Sequence, residues 1–128
     1  MAKYGVAAVR ATQLLRRRRA VSPVEAWERA VREVFPGSPS AQAKGCPRGA
    51  YLGLCEDGFE RGVDPGSYTR SVLNKRYAVR AANVLRERPE LLGDESALWR
   101  HAVRGEEKAP NGQMEIVIAL RRANLLEA

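Results

Sequence analysis

The sequence predicts an all-α fold, a single compact domain of about five or six helices over residues 1–128. Three observations predict it. Apolar residues recur three and four apart in one segment after another. Capping residues and prolines stand where those segments begin, and glycine or proline where they end. The composition, 45% hydrophobic and 29% charged with only 6% aromatic, is that of a globular chain with an aliphatic and alanine-rich core. At 128 residues one hydrophobic core suffices, since about two-thirds of the unfolded surface can be buried on folding.

The first helix is expected over residues 3–19, with Tyr4, Ala8, Ala11 and Leu15 on one face beside Ala7 and Leu14. It runs into Arg16, Arg17, Arg18 and Arg19, where cations complement the negative end of the helix dipole. In SPVEAWERAVREVF, Ser22 is the N-cap, Pro23 the first helical residue and Glu25 the partner in a capping box. Trp27, Ala30, Val31 and Val34 form its buried stripe, and Pro36-Gly37 ends it. Ser38-Pro39 opens either a loop or one helical turn to Gln42, broken at Gly45.

Within CPRGAYLGLCEDG, Cys46 resembles an N-cap, Pro47 a first helical residue and Gly58 the glycine beyond the end, giving a helix over 47–57. Gly53 in its middle costs about 1 kcal/mol against alanine and therefore marks a close approach by a crossing helix. FERGVDPGSYT is a loop, with turn signals at Gly62 and Asp64-Pro65-Gly66. RSVLNKRYAVRAANVLRER is the longest helix, its apolar side carried by Leu73, Tyr77, Ala81, Val84 and Leu85, and Pro89 stops it. Asp94 caps a helix presenting Leu98, Trp99, Ala102 and Val103, which Gly105 closes. After the polar EEKAPN loop, Asn111 caps a last helix whose MEIVIAL core is apolar nearly all round, which predicts a central position.

Charge is uneven along the chain. Of the net +7, residues 1–44 hold nine basic and three acidic side chains (+6), residues 45–93 eight and six (+2), and residues 94–128 five and six (−1). Such asymmetry favours an anionic partner, nucleic acid or an acidic protein face, with Arg16, Arg17, Arg18 and Arg19 as the basic patch. The competing account is a solvated face, since arginine outnumbers lysine 18 to 4, as a GC-rich genome would give. No run approaches the about 20 apolar residues that cross a bilayer, and no apolar segment follows the arginines as in a signal peptide, so no membrane and a cytoplasmic location are expected.

Cys46 and Cys55 are expected as free thiols in that compartment. Nine residues apart on a helix, they face opposite ways, and His101 is the only histidine, so neither a metal site nor any other cofactor is expected. Cys46, at a helix start between Lys44 and Arg48, is the candidate nucleophile, although it needs a base that only His101 could supply. Cys55 reads as a buried apolar residue among Tyr51, Leu52 and Leu54.

The start of the long helix gathers donors. Ser67, Thr69, Arg70, Asn74 and Lys75, together with Arg48, form a candidate anion-binding set in which helix N–H groups and cations could hold a phosphate or carboxylate. The structural alternative is that Ser67 or Thr69 only caps the helix. No phosphate-loop motif is present. A helix-turn-helix reading is opposed by a connection longer than three or four residues and by basic side chains, Arg76 and Arg80 against Lys75 and Arg86, that lie on different flanks.

Taken together, CPRGAYLGLCEDG, GSYTRSVLNKRYA, the terminal NGQMEIVIAL and the Ser22-Pro23-Val24-Glu25-Ala26-Trp27 helix start resemble a family of small bacterial proteins catalogued as a domain of unknown function. The resemblance covers most of the chain and implies a single compact domain. It brings no activity, cofactor or catalytic residue, and the four consecutive arginines stand outside its pattern. The sequence thus points to a non-enzymatic helical binding protein for an anionic partner. The alternative is a small enzyme or thiol-dependent factor centred on Cys46 and the Ser67–Lys75 segment, and a third reading is a homo-oligomer that uses the apolar last helix as an interface.

Overall fold

Among the described residues, seven α-helical segments and one 3₁₀ turn follow one another: α1 (Lys3–Arg16), α2 (Pro23–Val34), α3 (Pro39–Gln42), α4 (Gly45–Glu56), α5 (Val72–Glu87), the 3₁₀ segment Pro89–Gly93, α6 (Glu95–Val103) and α7 (Gln113–Arg122). The computed structural model describes residues 2–127. Among these residues the only extended pairing is an isolated antiparallel bridge between Glu60 and Leu126. Among the described residues no helix is long and apolar enough to cross a membrane.

One core joins all the longer helices. Helix α1 buries Ala7, Ala8, Ala11 and Leu14, and α2 buries Ala26, Trp27, Ala30 and Val31 against it. Their many alanines let backbones approach closely. Ser22 caps α2 as expected, its hydroxyl accepting from the Glu25 N–H at 3.2 Å. Helix α7, apolar on most of its circumference, packs against α1, α4, α5 and α6 and is central.

Glycines set the two tightest crossings. A Cβ on Gly5 would lie 2.7 Å from the Ala119 Cβ and 3.0 Å from the Glu115 carbonyl oxygen, so α1 and α7 touch backbone to backbone there. A Cβ on Gly53 would stand 2.5 Å from the Lys75 Cβ and 2.6 Å from its Cα, and one on Gly49 would meet Ser71 and Asn74. The crossing helix expected at Gly53 is α5.

That crossing rotates α5 from its expected orientation. Because Ser71, Asn74 and Lys75 press onto α4, Leu73 turns outward and stays 46% exposed, and Val84 is only half-buried. The buried stripe is instead Tyr77, Ala78, Ala81, Ala82 and Leu85.

Three helix ends also differ from expectation. Helix α1 stops at Arg16, because Arg18 takes a left-handed φ of 57°. Helix α4 starts earlier, with Lys44 as N-cap and Cys46 as its second residue. Pro47 is tolerated third in line because N–H groups of a first turn have no helical acceptor anyway. The N-cap of α7 is Gly112, at φ 86°, with the Asn111 N–H donating to the Gln113 side chain at 2.6 Å. By contrast, α4 ends as expected: Gly58, at φ 74°, donates to the Cys55 carbonyl and Phe59 to that of Leu54, a Schellman pattern.

Candidate functional site

Four polar features can be built from the residues upward, beginning inside the core. Glu60, in the loop after α4, is 1% exposed and its carboxyl lies among the side chains of Thr12, Tyr51 and Cys55. The Thr12 hydroxyl donates to Glu60 Oε1 at 3.0 Å, lies 3.0 Å from the Tyr51 hydroxyl, and the Cys55 thiol donates to Glu60 Oε2. All three partners are neutral. Burial therefore dominates over these hydrogen bonds and pushes the Glu60 pKa up to about 8. Burial also raises Cys55 and Tyr51 well above their ordinary values, with the Glu60 charge adding to each. Cys55 is thus buried as expected, yet it serves as a hydrogen-bond donor and not merely as a small apolar residue.

The loop carrying Glu60 is strapped to the C-terminal segment. Arg61 N–H donates to the Leu125 carbonyl at 2.8 Å, Glu127 N–H to that of Phe59 at 2.7 Å, and the Arg61 side chain to that of Leu126 at 3.0 Å. Nothing in the local pattern of FERGVDPG marks Glu60 as buried. The signal is three-dimensional.

The start of α5 holds an anion, but the protein's own. Glu56, in the last turn of α4, accepts from the Tyr68 and Thr69 N–H groups at 2.6 and 2.7 Å and from the Lys75 ammonium at 2.9 Å. Desolvation opposes its charge, but the Thr69 N–H, Lys75 and the Tyr68 N–H together hold it below the usual carboxylate range. Lys75 also contacts Asp57 at 2.9 Å, and these two carboxylates raise its pKa. Neither Ser67 nor Thr69 caps α5. Its N-cap is Ser71, whose hydroxyl accepts from Asn74, while Thr69 Oγ1 accepts from the Ser71 N–H. Asn74 in turn accepts from Gln113 at 3.1 Å.

The remaining members of the expected set converge beside that start. Cys46, Arg48, Thr69, Arg70, Ser71, Asn74 and Asn111 line a cleft of about 420 Å³. Arg48, Thr69 and Arg70 also line an adjoining one of about 410 Å³, with Ser67 and Tyr68. Lys75 faces a different depression, with Glu56, Asp57 and Arg80. Cys46 is a free, half-buried thiol. His101 does not join it, for its ring Nε2 lies 3.1 Å from Arg88 Nη1.

The four arginines form the last feature. Arg17 is the C-cap of α1, Arg18 donates to the Leu15 carbonyl at 3.0 Å and Arg19 to that of Leu14 at 2.8 Å. This too is a Schellman turn, with arginine where glycine is usual. All four side chains are exposed, and among the described residues none is ion-paired. Arg16 lays its stem over Gly62, where an added Cβ would stand about 3.3 Å from the Arg16 Cγ, and Arg29 donates to the Arg19 carbonyl.

Fold and site define a small all-α protein with a single core, two arginine-bearing surfaces and a buried carboxyl. The chain belongs to a family of unknown function, DUF6979, which matches residues 1–127. No curated protein and no solved structure matches it.

Proposed function

We propose that the protein is a binding protein for an extended anionic partner, engaged through Arg16 to Arg19, with nucleic acid as the favoured partner. The observation that supports this most directly is that four consecutive exposed arginines stand at one hydrogen-bonded turn without carboxylate partners among the described residues. Arginines used only for solubility are commonly offset by nearby acids. Here the nearest acidic side chains in sequence are Glu25 and Glu28, which face Arg29, Arg32 and Arg48 instead. Guanidinium forks suit phosphate oxygens, and contacts to phosphates carry no base information.

Salt-titrated binding to mixed-sequence DNA and RNA tests this reading. Each phosphate neutralised on duplex DNA contributes a slope of about 0.9 in log K against log salt. Replacing Arg17 and Arg18 by glutamine is expected to flatten the slope by up to about 2 and to weaken all sequences alike. Absence of binding at about 50 mM salt, where attraction is strong, refutes the nucleic-acid partner and leaves an acidic protein face.

A further inference from the structure

The two clefts beside the start of α4 share Arg48, Thr69 and Arg70 as lining and are the two lobes of the trough considered for a ligand. Its walls come from three separate parts of the chain: α4, the segment before α5, and Asn111 ahead of α7. No carboxylate lines either lobe. The acids nearby are turned elsewhere, Glu56 onto the Tyr68 and Thr69 N–H groups and Lys75, and Asp57 onto Lys75. Glu28 reaches Arg48 only at 3.8 Å, and it lies at a similar 3.9 Å from Arg32. Arg70 has no ionic partner among the described residues. Arg48 and Arg70 thus line both lobes, with Ser67 in one and Asn111 in the other, each lobe of small-molecule size.

We propose that this trough binds the phosphate group of a small phosphorylated molecule, gripped by Arg48 and Arg70 with Ser67 and Asn111 as neutral donors. A phosphate, with three free oxygens, uses this many donors from several directions, whereas a carboxylate satisfies a single guanidinium fork. The assignment narrows the anion-binding set read from the sequence. Lys75 and Asn74 drop out because Glu56, Asp57, Ser71 and Gln113 already occupy them. It shares no residue with the Arg16–Arg19 turn, so either site can fail alone.

Cys46 lines the same trough and reports on it without taking part. Alkylation of the full-length protein by iodoacetamide, at constant pH and ionic strength, is followed by mass spectrometry, with buried Cys55 as the internal unreactive control. Inorganic phosphate and pyrophosphate are the probes, with acetate and citrate as the carboxylate arm. The expected result is saturable protection of Cys46 by pyrophosphate, weakened about tenfold or more by Arg70→Gln, since a charge-assisted contact is lost from an exposed residue. Arg17→Gln leaves the protection unchanged. No protection by either phosphate probe, equal protection in Arg70→Gln, or stronger protection by the carboxylates overturns the proposal. Amide shifts on phosphate titration provide a second measurement: movement of Arg70 and Asn111 supports the site, and movement confined to residues 16–19 refutes it.

Discussion

The buried carboxyl of Glu60 makes stability depend on pH in a direction that can be worked out. Folding moves this group from its ordinary 4.5 to about 8, chiefly through burial beside neutral partners. A carboxyl whose folded pKa is raised binds more protons folded than unfolded between those two values. Its contribution is therefore fully present below about pH 4.5 and is lost as pH rises through 8. At about 1.36 kcal/mol per pH unit, the full span is about 5 kcal/mol, of which about 3 is already lost at pH 7. Glu60→Gln removes the titration while keeping the shape: its oxygen accepts from the Cys55 thiol, and its amide can donate to Thr12 once that hydroxyl donates to the Ala8 carbonyl, 3.0 Å away, in place of residue 60. Urea denaturation of both proteins from pH 5 to pH 9 reads the difference. The variant is expected to be within about 1 kcal/mol of the parent at pH 5 and more stable by several kcal/mol at pH 9. A stability difference that stays constant across this range refutes the assignment of a neutral, buried Glu60.

Two stability tests concern backbone geometry. Arg18→Gly is expected to raise stability by about 1 kcal/mol, because residue 18 sits at φ 57°, where glycine meets no Cβ penalty; a thermal melt that is unchanged or lower contradicts this. Gly53→Ala is expected to destabilise by about 1–3 kcal/mol despite a better helix propensity, since its Cβ would come within 2.6 Å of the Lys75 Cα, which is backbone and cannot swing away; a neutral or stabilised variant in urea would show that α5 gives way cheaply.

The helices were legible where one local rule decided them. Ser22-Pro23 placed a start, Gly58 an end, and the all-round apolar MEIVIAL a central helix, because capping and burial both leave marks in the sequence. Even the crossing at Gly53 could be foreseen, since a helical glycine is expensive unless a neighbour needs the room. What could not be read is which rotation that crossing imposes on α5. Leu73 had helical spacing with Tyr77, yet the contact of Gly49 with Ser71 and Asn74 turned it outward. The candidate site was half legible for the same reason. Cys46, Arg48 and Arg70 are brought together by the α4 and α5 crossing, whereas Lys75 is drawn away by Glu56 and Asp57, whose approach no local pattern announces. Glu60 was missed altogether, because its burial depends on Thr12 and on the C-terminal strap, both far away along the chain.

The costly features are not scattered. Thr12 and Arg16 are one turn apart on α1, and they touch Glu60 and Gly62, two residues apart on the opposing loop. One corner therefore holds a carboxyl buried without a cation, a left-handed arginine and four exposed guanidinium groups. Each feature opposes stability by itself: the first through desolvation, the second through backbone sterics, the third through mutual repulsion. Features of this kind persist where surrounding structure over-determines them, and they cluster at functional sites. Here the over-determination is visible, for the strap from Leu125 to Glu127 and the hydroxyl and thiol donors hold the loop in place. These contacts hold the backbone turn from which the four arginines project. On the proposed reading, a turn held in this way lowers the ordering entropy that an anionic partner would have to overcome.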